Sequence, residues 1–144
     1  MTRILLAIAA ALTMMPQALA QAPAPLKVSG AWLRAAAPNQ VTGGYAVFEN
    51  PAGSPVAITA VKTAAARTVE LHVMTERDSV MKMQRVDRFV VPAGGRFALS
   101  PGGAHLMLFG VSKALVTGDQ VTLTIVLDDG REFDVRFEVR ARDA

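Results

Sequence analysis

The feature that most constrains this chain is a strict two-residue alternation near its C-terminal end. Val121, Leu123, Ile125 and Leu127 alternate with Thr122, Thr124, Val126 and Asp128. After the turn sequence Asp128-Asp129-Gly130, Phe133, Val135, Phe137 and Val139 alternate with Glu132, Asp134, Arg136, Glu138 and Arg140. Successive side chains of a strand point to opposite faces, so the second run has one apolar and one charged face. The pair predicts a hairpin with one face on a core. Shorter apolar runs upstream predict strands over 27–34, 44–50, 55–62, 67–74, 80–91, 95–100 and 104–111, most of them separated by turn sequences such as 50–55, 92–95 and 101–103. No long apolar pattern of period 3.6 appears, and only the Ala-rich 63–68 is consistent with a helical turn. The expectation is a single all-β domain, a sandwich or barrel. Glycine pairs are read as turns, because no Lys-Ser/Thr and no helix follows them as a phosphate loop requires. Trp32, Tyr45 and Phe48 are read as core.

The N-terminal segment stands apart from this pattern. Arg3 precedes an apolar run from Ile4 to Met15, and Ala18-Leu19-Ala20 precedes Gln21. This is the form of a cleaved secretory signal. The run spans 12 residues, short of the roughly 20 that a spanning helix needs. The expected layout is a signal peptide at 1–20, an extended tail at 21–27, a β domain at 28–140 and a C-terminal tail at 141–144. Cleavage after Ala20 gives a periplasmic protein with no stable membrane insertion. Removing Arg3 from the 15 basic residues leaves 14 against 12 acidic ones, so the mature chain is nearly neutral. Its basic residues are scattered, which argues against nucleic-acid binding. There is no cysteine, which excludes disulfide and thiol chemistry and leaves a lipid no cysteine for attachment.

Methionine and histidine are not scattered. Beyond the leader, the methionines are Met74, Met81, Met83 and Met107, and the only histidines are His72 and His105. They form three doublets spaced by two, 72/74, 81/83 and 105/107, and each doublet shares a face if its segment is a strand. A hairpin over 67–74 and 80–85 that paired 74 with 81 would pair 72 with 83. Both pairs would then face one side, and a third strand with His105 and Met107 could close a pocket. Thioether sulfur and neutral imidazole suit the soft ion Cu(I). Zinc prefers Cys, His or carboxylate, and calcium and magnesium want oxygen. The competing reading makes the methionines core filler and the histidines ordinary hydrogen-bonded residues.

The spacing His72-x10-Met83-x21-His105-x-Met107 resembles the motif of the PCuAC-type periplasmic copper chaperones. The segments GAWLRAAAP (30–38), VELH (69–72), VMKM (80–83), VPAGG (91–95), LSPGGAHLMLFG (99–110) and GDQVTLTIVLDDG (118–130) extend the resemblance over nearly the whole mature chain. It implies a cupredoxin-like Greek-key β-sandwich or barrel, with one Cu(I) per chain on His72, Met83, His105 and Met107. Met74 and Met81 would be neighbours of that site. It also implies copper delivery toward the copper centres of cytochrome c oxidase, with the oxidase copper subunit or a Sco-type thiol protein as partner; the chain itself is expected to be a monomer. Two departures stand out. The C-terminal VRARDA has none of the additional His and Met residues some relatives carry, so one site is expected. Ser79 stands where relatives often have Gly.

An electron-transfer blue-copper protein is excluded, because that site needs a cysteine thiolate. No nucleophile–base arrangement is recognisable, so the chain is expected not to be an enzyme. The alternatives to a copper carrier of oxidase assembly are copper storage or resistance, and a secreted β-sandwich interaction module with structural methionines.

Overall fold

The computed structural model describes residues 24–143, and the leader with its Ala20/Gln21 junction lies outside them. Ten strands follow in order: β1 Lys27–Arg34, β2 Thr42–Glu49, β3 Val56–Lys62, β4 Ala66–Arg77, β5 Val80–Val86, β6 Phe89–Val91, β7 Arg96–Ala98, β8 His105–Val111, β9 Gln120–Leu127 and β10 Glu132–Arg140. There is no helix among the described residues; the 63–68 segment is a turn at Ala64-Ala65 that leads into β4. The expected single strand over 80–91 is two strands, broken at Asp87-Arg88. Leu26, read from the sequence as tail, is buried in the core, and Lys27 already belongs to β1.

The strands pair in the order β5-β4-β8-β2-β1-β10-β9-β3-β6, with β7 added to β2. β2 is divided between two neighbours. Thr42–Gly44 pairs with β8, and Val47–Glu49 pairs with β7. β6 meets β7, and β3 meets β4, so the long sheet curls back on itself around one core. The β9–β10 hairpin pairs Phe137 with Val121 through Glu132 with Val126. Leu123, Ile125, Leu127, Phe137 and Val139 of that hairpin are sealed from solvent, each contributing about 1.5–3 kcal/mol of apolar burial.

One irregularity decides which residues reach the functional face. Between Ser29 and Trp32 the β1–β2 register shifts, with Gly30 and Ala31 facing the single residue Ala46. Gly30 sits at φ +58°, a left-handed conformation that glycine adopts without a Cβ clash and that is common in β-bulges. The extra residue reverses the alternation. Val28 lies opposite the core residue Phe48, but beyond the bulge Leu33 turns inward opposite Gly44, and Trp32 turns outward opposite Tyr45. The reading of Trp32 as core is therefore corrected; Tyr45 is buried as expected, though on the site side and outside the main core cluster, and Phe48 is fully buried within that cluster.

Candidate metal centre

The site face is the outer side of β4, β5, β8 and the start of β2. On β4, Leu71 packs inward and His72 points the other way; on β8, Leu106 and Leu108 pack inward while His105 and Met107 share the outer face. The β4–β8 register sets His72 directly opposite His105, and Glu70 opposite Met107. The ring centroids of the two histidines lie 5.7 Å apart.

The β4–β5 hairpin supplies sulfur. Its register pairs Met74 with Met83 and Glu76 with Met81. This departs by two residues from the pairing of 74 with 81 and 72 with 83; His72 faces Arg85 instead. The cause is the turn. The segment 75–80 is not a loop, because both strands continue to a two-residue turn at Asp78-Ser79, with φ of 53° and 61°. Two consecutive positive φ values mark the type I′ turn, whose twist matches the strands. A two-residue slip preserves the face, so Met74 and Met83 still point to the histidine side. Met81 is carried toward the hairpin tip.

An open cavity of about 310 Å³ is lined by Met74, Met83, His105 and Met107, with Tyr45 and Arg34 among its other walls. Neither His72 nor Met81 lines it; His72 lies next to it, its ring centroid 5.7 Å from that of the lining residue His105. The four residues of the spacing motif thus fall in one region, and the third sulfur there, after Met83 and Met107, is Met74. Met83 and Met81 are 48% and 52% exposed, whereas His72 and His105 are 8% and 5% exposed. The room on this face comes from Gly43, which lies opposite Met107. A Cβ on Gly43 would come within 2.7 Å of the Tyr45 hydroxyl. Gly43-Gly44 is therefore not a turn, as glycine pairs were expected to be, but mid-strand. Gly44, on the opposite face, lets Leu33 and Leu106 close over it in the core.

Each imidazole is held by one nitrogen and free at the other. His72 Nε2 contacts the Glu70 carboxylate at 2.8 Å, and Glu70 also reaches Arg85 at 3.4 Å. His105 Nδ1 lies 2.9 Å from the Gly103 carbonyl. That carbonyl is presented by the Ser100–Gly103 turn, closed by a 3.0 Å hydrogen bond from Gly103 N–H to Ser100 O, with Gly102 at φ +80°. Pro followed by a positive-φ Gly is the signature of a type II turn, so SPGGAH encodes its own clamp on the histidine. The remaining nitrogens, His72 Nδ1 and His105 Nε2, are buried and have no hydrogen-bond partner. Buried polar atoms are nearly always paired, and the exceptions mark missing ligands or strain. Metal–imidazole bonds run at roughly 2 Å, and a ring centre lies about 1 Å behind its nitrogen, so one ion shared by two rings allows centroids up to about 6 Å apart. The observed 5.7 Å fits. The donor set present, two neutral nitrogens beside thioethers, suits a soft monovalent ion; among the described residues no cluster of three His, Cys, Asp or Glu offers a harder site.

Sequence reasoning missed several contributors. Tyr45 faces His105 with ring centroids 6.4 Å apart and packs against Trp32 with centroids 4.6 Å apart and the rings tilted by 37°. The Arg34 guanidinium lies 5.5 Å from the Tyr45 ring centre, within cation–π reach. Only the bulge brings Trp32 and Arg34 to this face, and no alternation rule applied to β1 would have done so. Glu70 was legible, since residues two apart on a strand share a face.

An all-β fold with buried, half-satisfied imidazoles beside a methionine-lined cavity defines a class: a small, cupredoxin-like protein with a candidate soft-ligand metal site. Residues 26–139 match the family model described as "LpqE-like: Putative lipoprotein LpqE-like", and the chain belongs to that family. It is 29% identical over 116 residues to "Putative lipoprotein Lxx21020" of Leifsonia xyli subsp. xyli, covering 80% of this chain and 69% of that one. Among solved structures it resembles the copper-bound PCuAC domain from PmoF2, with a TM-score of 0.69, 27% identity, and coverage of 83% of this chain and 96% of that chain. It also resembles apo-DR1885 from Deinococcus radiodurans, with a TM-score of 0.65, 28% identity, and coverage of 98% and 97%. The PCuAC relationship inferred from the spacing motif is thus matched at the level of the fold.

Proposed function

We propose that this protein is an exported Cu(I) carrier that binds one ion through His72, Met83, His105 and Met107 and passes it toward the copper centres of cytochrome c oxidase. The observation that carries this reading is the pair of buried imidazole nitrogens without partners, set beside a cavity lined by Met83 and Met107. Structural relatives described as a copper-bound PCuAC domain and as CuI-DR1885 support copper as the cargo. The charge around the cavity supports a monovalent ion. Arg34 and Arg142 line it, and Glu70, the carboxylate in contact with His72, is shared with Arg85. A divalent ion would meet twice the repulsion from these cations with no thiolate to offset it.

The arrangement suits transfer better than storage. The two nitrogen donors are buried, while Met83 is half exposed. A thioether carries no charge and holds copper less tightly than a thiolate, so an incoming cysteine of a Sco-type protein or of the oxidase copper subunit can displace Met83 first. The protein's own residues bind, orient and release the ion, and no covalent chemistry is required of them, in keeping with a carrier rather than an enzyme. The leader-like N-terminus and the lipoprotein descriptions of its relatives support export to the periplasm. Deleting the gene and measuring assembled oxidase activity under copper limitation tests this role. The carrier reading expects a deficit that added copper relieves. Normal oxidase activity with reduced copper tolerance would favour storage or resistance instead.

A further inference from the structure

The two histidines sit opposite each other but are anchored through different nitrogens. A neutral imidazole has one N–H donor and one lone pair. An ionised carboxylate only accepts, so the nitrogen of His72 in contact with Glu70, Nε2, carries the proton, and the lone pair falls on the buried Nδ1. The Gly103 carbonyl also only accepts, so His105 carries its proton on Nδ1 and its lone pair on the buried Nε2. We propose that Glu70 is a positioning residue that locks His72 as the Nε2–H tautomer, so that copper is taken by Nδ1 of His72 and by Nε2 of His105. The inference rests on the carrier reading for the identity of the ion, but the tautomers themselves belong to the metal-free protein.

The geometry gives Glu70 this task and little else. It lies two residues before His72 on the same face of β4, and its side chain is 23% exposed. Its second oxygen is drawn to Arg85, which is 67% exposed, so the outer ion pair adds little energy of its own. What the pair does is steer: one oxygen is turned to solvent and Arg85, and the other to the ring. Outer partners of metal-binding histidines fix ring orientation and tautomer, and their loss typically costs about 10–100-fold in affinity. The conservative change Glu70→Gln keeps a carbonyl oxygen that can accept from Nε2–H, whereas Glu70→Leu keeps the bulk and removes the acceptor.

The test combines long-range proton–nitrogen NMR of the histidine rings with anaerobic Cu(I) competition. In the metal-free protein with neutral rings, His72 should show a slowly exchanging Nε2–H and His105 an Nδ1–H. On loading with Cu(I), which is diamagnetic, the nitrogens that shift should be Nδ1 of His72 and Nε2 of His105. Glu70→Leu should lose the slow exchange of the His72 proton and bind Cu(I) about 10–100-fold more weakly, with Glu70→Gln within a few-fold of the parent. Both rings in the same tautomer, or coordination through the same nitrogen of both, would overturn the proposal. So would parent-like affinity in Glu70→Leu. If Glu70→Leu does not fold, Glu70→Gln and the parent spectra still decide. A parent protein that takes up no Cu(I) would sink the carrier reading, while the metal-free spectra would still judge the tautomers.

Discussion

Truncating Met83 separates a ligand from core filler. A fully buried Met→Ala change typically costs about 2–5 kcal/mol. Met83 is 48% exposed and lies on the edge strand β5, where every residue except the last is exposed. Burial of a whole methionine side chain is worth about 1.5–3 kcal/mol, so removing a side chain already half in water forfeits about 0.8–1.5 kcal/mol. For a domain of this size that is a loss of about 3–6 °C in Tm. Leu108, sealed in the core beneath the site, should by contrast lose about 2–5 kcal/mol on truncation to Ala. The assay is paired: thermal unfolding of the metal-free variants by circular dichroism, and anaerobic competition for Cu(I) against a chromogenic chelator. Met83→Ala should melt within a few degrees of the parent and bind Cu(I) markedly more weakly. Leu108→Ala should melt far lower and, below its transition, retain copper. If Met83→Ala melts like Leu108→Ala and competes for copper like the parent, then Met83 is packing and the site is wrong.

Adjacent glycines on β2 should report on opposite faces. Gly43→Ala pushes against the Tyr45 hydroxyl and should weaken Cu(I) binding with little change in melting, whereas Gly44→Ala presses on Leu33 and Leu106 in the core and should cost about 1–3 kcal/mol of stability. Ser79 occupies the second central position of the I′ turn at φ +61°, where glycine is preferred; Ser79→Gly should raise stability by up to about 1 kcal/mol, and a lower melting temperature would count against the turn assignment. Asp129 is hydrogen-bonded by the Arg131 backbone N–H at 3.0 Å and by its guanidinium at 2.7 Å, which holds its pKa below the ordinary carboxylate value, the backbone bond contributing most. A depressed carboxylate pKa means that its contribution is present above the unfolded value and is lost as pH falls through the folded one. NMR titration should place the Asp129 midpoint below that of a free aspartate and, in Arg131→Ala, closer to it.

Local rules were sufficient where each residue's face depends only on its own strand. The alternation over 121–140 gave the β9–β10 hairpin and its buried face, and the doublets of β4, β5 and β8 each share a face as their spacing requires. What failed depended on geometry between strands. The bulge at Gly30 reverses the alternation of β1 and turns Trp32 and Arg34 outward, and nothing in KVSGAWLR announces the reversal except a glycine. The β4–β5 register was misjudged because Asp78-Ser79 is a poor advertisement for a I′ turn, although the turn forms there. That slip of two is why Met83, and not Met81, stands opposite Met74 at the cavity. Gly43 was invisible because its role is the absence of a side chain opposite Met107.

The central claim is that one Cu(I) sits on two imidazole nitrogens and methionine sulfurs of this face. Anaerobic titration of the mature protein with Cu(I), followed by X-ray absorption spectroscopy of the loaded form, tests it most directly. The account predicts saturation at one equivalent and a first coordination shell containing both nitrogen and sulfur, with the sulfur contribution reduced in Met83→Ala and in Met107→Ala. No saturable binding, or a shell of nitrogen and oxygen alone that neither methionine variant alters, would contradict it.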